Sequence, residues 1–224
     1  MSKVISIANT AGGVGKTTTA HALAACFVDY GKRVLLIDLD AKADLTFRLA
    51  RENDRTFITD YLNAVQISEA TLEKTVERFS FIGSDSRISN IETVESFDGL
   101  LKSLSPSFDV VVLDLPSTIS PSIALALRAS DLLLIPIRNS LHSIRGAYEI
   151  ISLSGGKDSY ALQIGDLAKE ELSIKYIDAQ IAIGSEVELS EEESISVVSK
   201  FKEGMVSESY RDAAYSVLEV LGLD

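Results

Sequence analysis

A glycine-rich stretch between two apolar segments is the feature that most constrains how this chain folds. The run Val4–Ala8 is apolar and of strand length, and Ala11–Thr18 (AGGVGKTT) follows shortly after it. From Lys16 the apolar residues recur three and four positions apart, which predicts a helix that Gly31 ends. A glycine turn between a strand and a helix directs backbone N–H groups at one anion, beside the positive end of the helix dipole. The sequence therefore predicts an anion-binding turn.

The alternation of strand and helix continues along the chain. Further strands are predicted at 33–39, 79–82, 110–115, 132–137, 161–164 and 176–183, with helices at 97–104, 119–128 and 205–221. This order is typical of a doubly wound α/β fold, in which a mostly parallel sheet carries helices on both faces. Neither a repeat nor a linker divides the sequence, so we expect residues 1–224 to form a single domain. The last helix is expected to close the fold by packing on the sheet.

Composition excludes several classes of protein. The chain has 224 residues, of which 46% are hydrophobic, which is enough to build a core and argues against disorder. No apolar run approaches the roughly 20 residues that span a bilayer, and the first residues lack the apolar stretch of a signal peptide, so we expect a cytoplasmic protein. Its one cysteine, Cys26, excludes an internal disulfide or a zinc site made of thiolates. The 21 basic and 33 acidic side chains give a net charge of −12, which disfavours DNA binding by net charge.

The residue types in the turn fit a nucleotide phosphate site. Lys16 is placed to reach the β- and γ-phosphates, and the Thr17 hydroxyl to ligate Mg²⁺. The ordinary P-loop pattern has glycine at the position of Thr10. The predicted nucleotide-binding residues are Ala11, Gly12, Gly13, Val14, Gly15, Lys16, Thr17 and Thr18.

This altered loop resembles the deviant Walker A motif of the ParA/MinD family of ATPases. The resemblance covers nearly the whole chain, through the segments GKRVLLIDLD, FDVVVLDLPS, ASDLLLIPI and SESYRDAAYSVLEVL, and ParA-like members fit best. It implies a P-loop NTPase-like fold that binds ATP, ADP and Mg²⁺. It also implies a homodimer that forms on ATP binding, slow ATP hydrolysis stimulated by a ParB-like adaptor, and the partition or positioning of a plasmid, chromosome or protein cargo.

The resemblance also assigns roles to single residues. Lys16 matches the P-loop lysine and Thr17 the Mg²⁺ ligand, while Thr18 matches a residue that contacts the α-phosphate. Asp38 and Asp40 match the two acids after the second strand, and the second acid orients the attacking water in the family. Asp114 matches the Walker B aspartate. We therefore predict Lys16 and Asp40 as catalytic residues, and Thr17, Asp38 and Asp114 as the metal site.

One departure from the family concerns a positive charge. The family's signature lysine, which reaches the partner's phosphates across the dimer, falls at Ala11. Lys42, Arg145 and Lys157 are candidates to replace it. The alternative is a nucleotide-binding regulatory or scaffold protein with little hydrolysis. A metabolic enzyme on the same fold, a carboxylase or synthetase, is a third possibility for which the sequence offers no substrate pocket.

Acidic charge is concentrated in the last third of the chain. Residues 151–224 hold 6 basic and 15 acidic side chains, including the run Glu191–Glu193. Relatives often carry arginine, for DNA contact, near the positions of Gly184 and Ser185, so nonspecific DNA binding is disfavoured though left open. The run is interpreted as a solvated helix start, with a docking surface for a basic partner as the alternative. The terminal helix carries one basic residue, Arg211, so membrane attachment is not expected.

Overall fold

In the parts of the chain that the structure describes, the strands form one seven-stranded sheet. The computed structural model describes residues 1–63, 72–90, 94–166 and 172–223. The strands are β1 (Lys3–Ile7), β2 (Val34–Asp38), β3 (Ser80–Ile82), β4 (Val110–Asp114), β5 (Leu132–Ile137), β6 (Ser159–Ile164) and β7 (Lys175–Ile181). Their spatial order is β3-β2-β4-β1-β5-β6-β7, and all neighbouring pairs run parallel. The predicted doubly wound α/β fold is confirmed, whereas the assignment of residues 1–224 to one domain stays a prediction.

Helices connect the strands and cover both faces of the sheet. They are α1 (Lys16–Asp29), α2 (Asp44–Arg48), α3 (Ile58–Leu62), α4 (Val94–Leu104), α5 (Pro121–Ala129), α6 (Leu141–Leu153), α7 (Glu186–Glu191), α8 (Val197–Lys200) and α9 (Met205–Leu221), with a 3₁₀ helix at Ser86–Asn90. The sequence analysis did not foresee α2, α3, α6 or α8. In the described parts of the chain, no helix is both long enough and apolar enough to cross a membrane.

Among the described residues, two apolar clusters form the core, one on each side of the sheet. One cluster contains side chains of α1, α2, α8 and α9, and the other contains side chains of α3, α4, α5 and α6. Helix α9 packs against β7 and α1, as predicted, and buries Tyr210, whose hydroxyl lies 3.2 Å from that of Thr19. The sole cysteine, Cys26, is buried in the same cluster, and burial raises the pKa of its thiol to about 12.

The parallel arrangement brings distant segments to one edge of the sheet. The central strand β1 lies between β4 and β5, and Asp114 at the end of β4 pairs in register with Ile7 of β1 and Asp38 of β2. Because parallel strands end at the same edge, the glycine turn after β1 and the acids after β2 and β4 lie together there.

Candidate nucleotide-binding site

The segment of residues 9–18, called here the phosphate loop, is built to receive an anion. Gly13 and Gly15 adopt φ values of +70° and +100°, which residues other than glycine rarely adopt. Gly15 precedes α1 without a side-chain cap, and the first turn of α1 contains no acidic residue. The first helical bond of α1 runs from the Thr19 N–H to the Gly15 carbonyl, so the N–H groups of residues 16–18 precede the hydrogen-bonded ladder. These groups form a helix N-terminus suited to phosphate.

Lys16 folds back over the phosphate loop. Its Nζ donates a hydrogen bond of 2.9 Å to the carbonyl of Ala11, and the side chain is largely buried. Burial lowers the pKa of Lys16, while the charges of Asp114 and Asp40 raise it. The lysine therefore lies among the predicted acids, with its charge inside the loop where a phosphate would lie.

Asp114 provides a buried carboxylate with an open oxygen. The residue is 1% exposed, and its Oδ1 finds no hydrogen-bond partner among the described residues. The neighbouring Thr17 hydroxyl lowers the pKa of the same carboxylate. Burial raises the pKa of Asp114 well above its usual range, and the neighbouring Asp38 carboxylate raises it further. An unpaired buried oxygen next to a hydroxyl fits Mg²⁺ held partly by nucleotide phosphates and waters, since Mg²⁺ sites of this kind use only one or two protein carboxylates.

Asp38 is already engaged by the protein backbone. Its Oδ1 accepts a bond of 2.9 Å from the N–H of Asp40, and its Oδ2 accepts bonds from the N–H and the hydroxyl of Thr46 at 3.0 and 2.7 Å. Burial raises its pKa to about 7 although these hydrogen bonds lower it. Asp38 thus fixes the start of α2 and the loop before it, and its ligation of a metal stays a prediction.

Asp40 lies at the mouth of the site. It is half-buried, its Oδ1 accepts a bond of 3.0 Å from the N–H of Lys42, and its charge acts on Lys16. The structure therefore brings together Lys16, Thr17, Asp38, Asp40 and Asp114, which the sequence analysis placed in one site. Within the described residues, no group of three or more His, Cys, Asp or Glu side chains could hold a metal alone.

Comparison with known proteins assigns the chain to a family. A family model described as an AAA domain matches residues 2–155. The chain belongs to the ParA/MinD family of P-loop ATPases.

Relatives of this family resemble the chain over much of its length. It is 28% identical to the sporulation initiation inhibitor protein Soj of Bacillus subtilis over 201 residues, covering 84% of this chain and 78% of that protein. It is 30% identical to the chromosome-partitioning ATPase Soj of Thermus thermophilus, covering 66% of this chain but only 59% of that protein. The septum site-determining protein MinD of Pyrococcus horikoshii, solved with Mg-ADP, has the same fold with a TM-score of 0.83 at 18% identity, covering 100% of this chain and 98% of that one.

At the position of the ParA/MinD signature lysine, this chain has an alanine that is both uncharged and buried. Ala11 is fully buried, and its N–H donates to Asn9 Oδ1 at 2.9 Å. Helix α6 packs on it so closely that a Cβ added to Gly146 would lie 2.6 Å from the Ala11 nitrogen. The glycine at 146 is what allows this approach.

The candidate replacements for that lysine differ in their locations. Lys42 is exposed, and its charge lowers the pKa of Lys16, so it lies near the phosphate loop. Arg145 is exposed on α6 and pairs with Glu149 at 3.3 Å. Lys157 donates to the carbonyls of Arg128 and Ser130, which precede β5, so it lies at the opposite edge of the sheet from the loop. This geometry favours Lys42 and removes Lys157 as a phosphate contact within one subunit.

Sequence analysis missed several residues that shape the site. The buried Asn9 donates from Nδ2 to the carbonyls of Pro136 at 2.8 Å and Ser143 at 3.2 Å, which ties the phosphate loop to β5 and α6. Thr46 holds Asp38, as described above. An amide directly after the first strand and a threonine in a short helix carry no periodic pattern, so only the tertiary contacts reveal their roles.

The glutamate run Glu191–Glu193 lies at the end of α7, not at a helix start as predicted; Glu192 and Glu193 are exposed and Glu191 is half-buried. In residues 186–200, called here the acidic segment, Glu191 pairs with Arg48 at 2.6 Å and Glu193 with Lys200 at 2.8 Å. The segment is also anchored by Glu77, which accepts bonds from Ser196 Oγ at 2.5 Å, from Ser199 Oγ, and from His21 Nε2 at 2.5 Å. Part of this acidic charge therefore holds the fold together.

Proposed function

We propose that the protein is a Mg²⁺-dependent ATPase that binds ATP and ADP and forms a homodimer on ATP binding. The observation that carries the proposal is the buried, unpaired Oδ1 of Asp114 beside the Thr17 hydroxyl and Lys16, at a helix N-terminus free of acidic residues. A buried polar atom left without a partner costs free energy, and such atoms are typical of ligand sites. Membership of a family of P-loop ATPases supports the same activity.

Each residue then has a distinct role. The N–H groups of the phosphate loop and Lys16 bind the phosphates, while Thr17 and Asp114 would hold Mg²⁺, with Asp38 fixing the adjoining loop. Bound Mg²⁺ would neutralise negative charge on the phosphates. Asp40, half-buried at the mouth of the site, orients the attacking water, since positioning provides most of the catalysis of phosphoryl transfer.

Partition or positioning of a cargo is the proposed biological role. The relatives include a chromosome-partitioning ATPase and a septum site-determining protein, which supports a plasmid, chromosome or protein cargo. A ParB-like adaptor would stimulate hydrolysis. Nonspecific DNA remains a possible but disfavoured partner because of the acidic segment, and we propose no membrane attachment because the apolar face of α9 is buried against the fold.

The test is ATP binding and turnover in single variants of the full chain. Lys16→Ala should abolish ATP binding, and Asp40→Ala should keep binding but stop turnover. Lys102→Ala, which removes an exposed lysine from α4, serves as the matched control. Full ATPase activity in the Lys16→Ala protein would refute the proposal.

A second candidate is a nucleotide-binding regulatory protein with little hydrolysis. It is favoured by Ala11, since the buried position leaves no side chain to reach the partner's phosphates. A steady-state ATPase assay with and without DNA, combined with light scattering to follow ATP-induced dimerisation, separates the two. Dimerisation without turnover under every condition would select the regulatory protein.

A further inference from the structure

Arg48, the last residue of α2, connects three elements near the phosphate loop. Its Nη1 donates a hydrogen bond of 3.1 Å to the hydroxyl of Thr18 in α1. The same nitrogen lies 2.6 Å from Oε1 of Glu191, the last residue of α7. The arginine side chain is 26% exposed and the glutamate side chain 36%, so this ion pair is partly shielded from water.

The contact with Thr18 places this guanidinium group beside the anion site. Thr18 lies in the first turn of α1, and its N–H precedes the first helical bond of that helix. Side chains of a helix lean toward its N-terminus, which is the end that faces the phosphates. The Thr18 hydroxyl and the guanidinium bonded to it therefore lie at the phosphate end of α1.

A phosphate bound here would compete with the Glu191 carboxylate for the guanidinium group of Arg48. A guanidinium group presents several N–H donors in a plane, and both contacts described here use Nη1. The remaining donors can bond a phosphate oxygen, for which arginine geometry is well suited. The Glu191 carboxylate, in contrast, repels a phosphate brought to the same side of α1.

We propose that Arg48 binds the α-phosphate of the nucleotide and that Glu191 competes with this phosphate for the guanidinium group. The proposal rests on the nucleotide site proposed above and adds a residue to it. Nucleotide binding then weakens the tie between α2 and the acidic segment, which links the conformation of that segment to the occupancy of the site.

The test is calorimetric titration of the full chain with Mg-ADP and with a non-hydrolysable Mg-ATP analogue. The variants are Arg48→Gln and Glu191→Gln. The chain offers a matched control for each. Arg51→Gln removes a nearby arginine that pairs with Asp54 and Glu73, and Glu193→Gln removes an acid of the same run that pairs with Lys200.

We expect Arg48→Gln to weaken both nucleotides by about tenfold, the effect of losing one charge-assisted hydrogen bond. Glu191→Gln should tighten both by roughly threefold, and this gain should vanish in the double variant. The two control variants should bind as the wild type does. The double variant is decisive because it separates competition for Arg48 from a general change in surface charge.

Equal affinities for Arg48→Gln and Arg51→Gln, or for Glu191→Gln and Glu193→Gln, would overturn the proposal. A loss confined to the ATP analogue would overturn it too, since that result places Arg48 on the γ-phosphate. If Arg48→Gln fails to fold, as judged by circular dichroism, the comparison of Glu191→Gln with Glu193→Gln still decides. Failure of the nucleotide function itself is distinguishable, because the wild type would then bind neither nucleotide.

Discussion

The phosphate loop and the acidic segment use charge in opposite ways. In and around the phosphate loop, polar atoms are left open: Asp114 Oδ1 has no partner among the described residues, and α1 begins with no side-chain cap and no acidic residue in its first turn. In the acidic segment, Glu191 and Glu193 are paired, and Glu77 anchors its serines. The comparison teaches that open charges mark a site for a ligand, whereas paired charges stabilise the fold. Substitutions in the two regions should therefore affect different properties.

The largest effect is expected from Asp114→Asn. Removing a predicted Mg²⁺ contact should lower the affinity for Mg-nucleotide by roughly 10- to 100-fold. The same change should raise the melting temperature of the ligand-free protein, because it replaces a buried acid whose charged form burial disfavours. Calorimetric titration and a thermal melt measure the two properties. A lower melting temperature together with unchanged affinity would show that Asp114 belongs with the paired charges.

Glu77→Gln should have the opposite effects to Asp114→Asn: it should lower stability and leave nucleotide affinity nearly unchanged. It removes a carboxylate that accepts bonds from His21, Ser196 and Ser199, and should lower the free energy of unfolding by about 2–3 kcal/mol. Affinity for Mg-nucleotide should change little. Urea unfolding measures the first quantity, and calorimetric titration the second. A variant as stable as the wild type would refute the anchoring role.

The same glutamate predicts a dependence of stability on pH. Although burial raises the pKa of Glu77, hydrogen bonds from His21, Ser196 and Ser199 outweigh it and hold the pKa below its ordinary value. Its stabilisation is then fully present above the pKa of an unfolded glutamate, about 4.3, and is lost as the pH falls through the lower folded value. The difference in unfolding free energy between wild type and Glu77→Gln should shrink in that acidic range. A constant difference would contradict the assignment.

Ala11→Lys tests whether this buried position can hold the lysine of the family. A lysine at this fully buried site, where α6 packs against the backbone, should cost about 1–3 kcal/mol of stability. We expect no gain in ATP turnover. Urea unfolding and a steady-state ATPase assay are the measurements, and a stable variant with faster turnover would show that the lysine can still project from this position.

The smallest effect on stability should follow from reversing Glu188 and Glu192 to lysine. Both side chains are exposed, so the free energy of unfolding should change by less than about 0.5 kcal/mol. The double variant should bind DNA more tightly than the wild type in a gel-shift assay, since it removes the acidic charge that disfavours that contact. Tight DNA binding by the wild type would contradict the disfavoured role of DNA.

Much of the fold and part of the site could be predicted from sequence. Local apolar patterns predict the strand before the phosphate loop, the buried strands ending at Asp38 and Asp114, and the helix of residues 205–221. The short helices α2, α3 and α8 could not be predicted. Each contains too few residues to show a period, and tertiary contacts such as Asp38 with Thr46 fix α2 in place.

The sequence by itself determined the parts of this protein whose signal is local. The glycines, Lys16 and Thr17 lie within one turn, and their chemistry needs no distant partner. Tertiary structure alone decided three contacts. Asp38 accepts hydrogen bonds from Thr46, α6 packs on Ala11 at Gly146, and Glu191 forms an ion pair with Arg48. Ala11 and Gly146 lie far apart in the chain, as do Arg48 and Glu191, whereas Asp38 and Thr46 are 8 positions apart. Only the packing of the helices and the shared edge of a parallel sheet bring them together, so no spacing within the sequence records them.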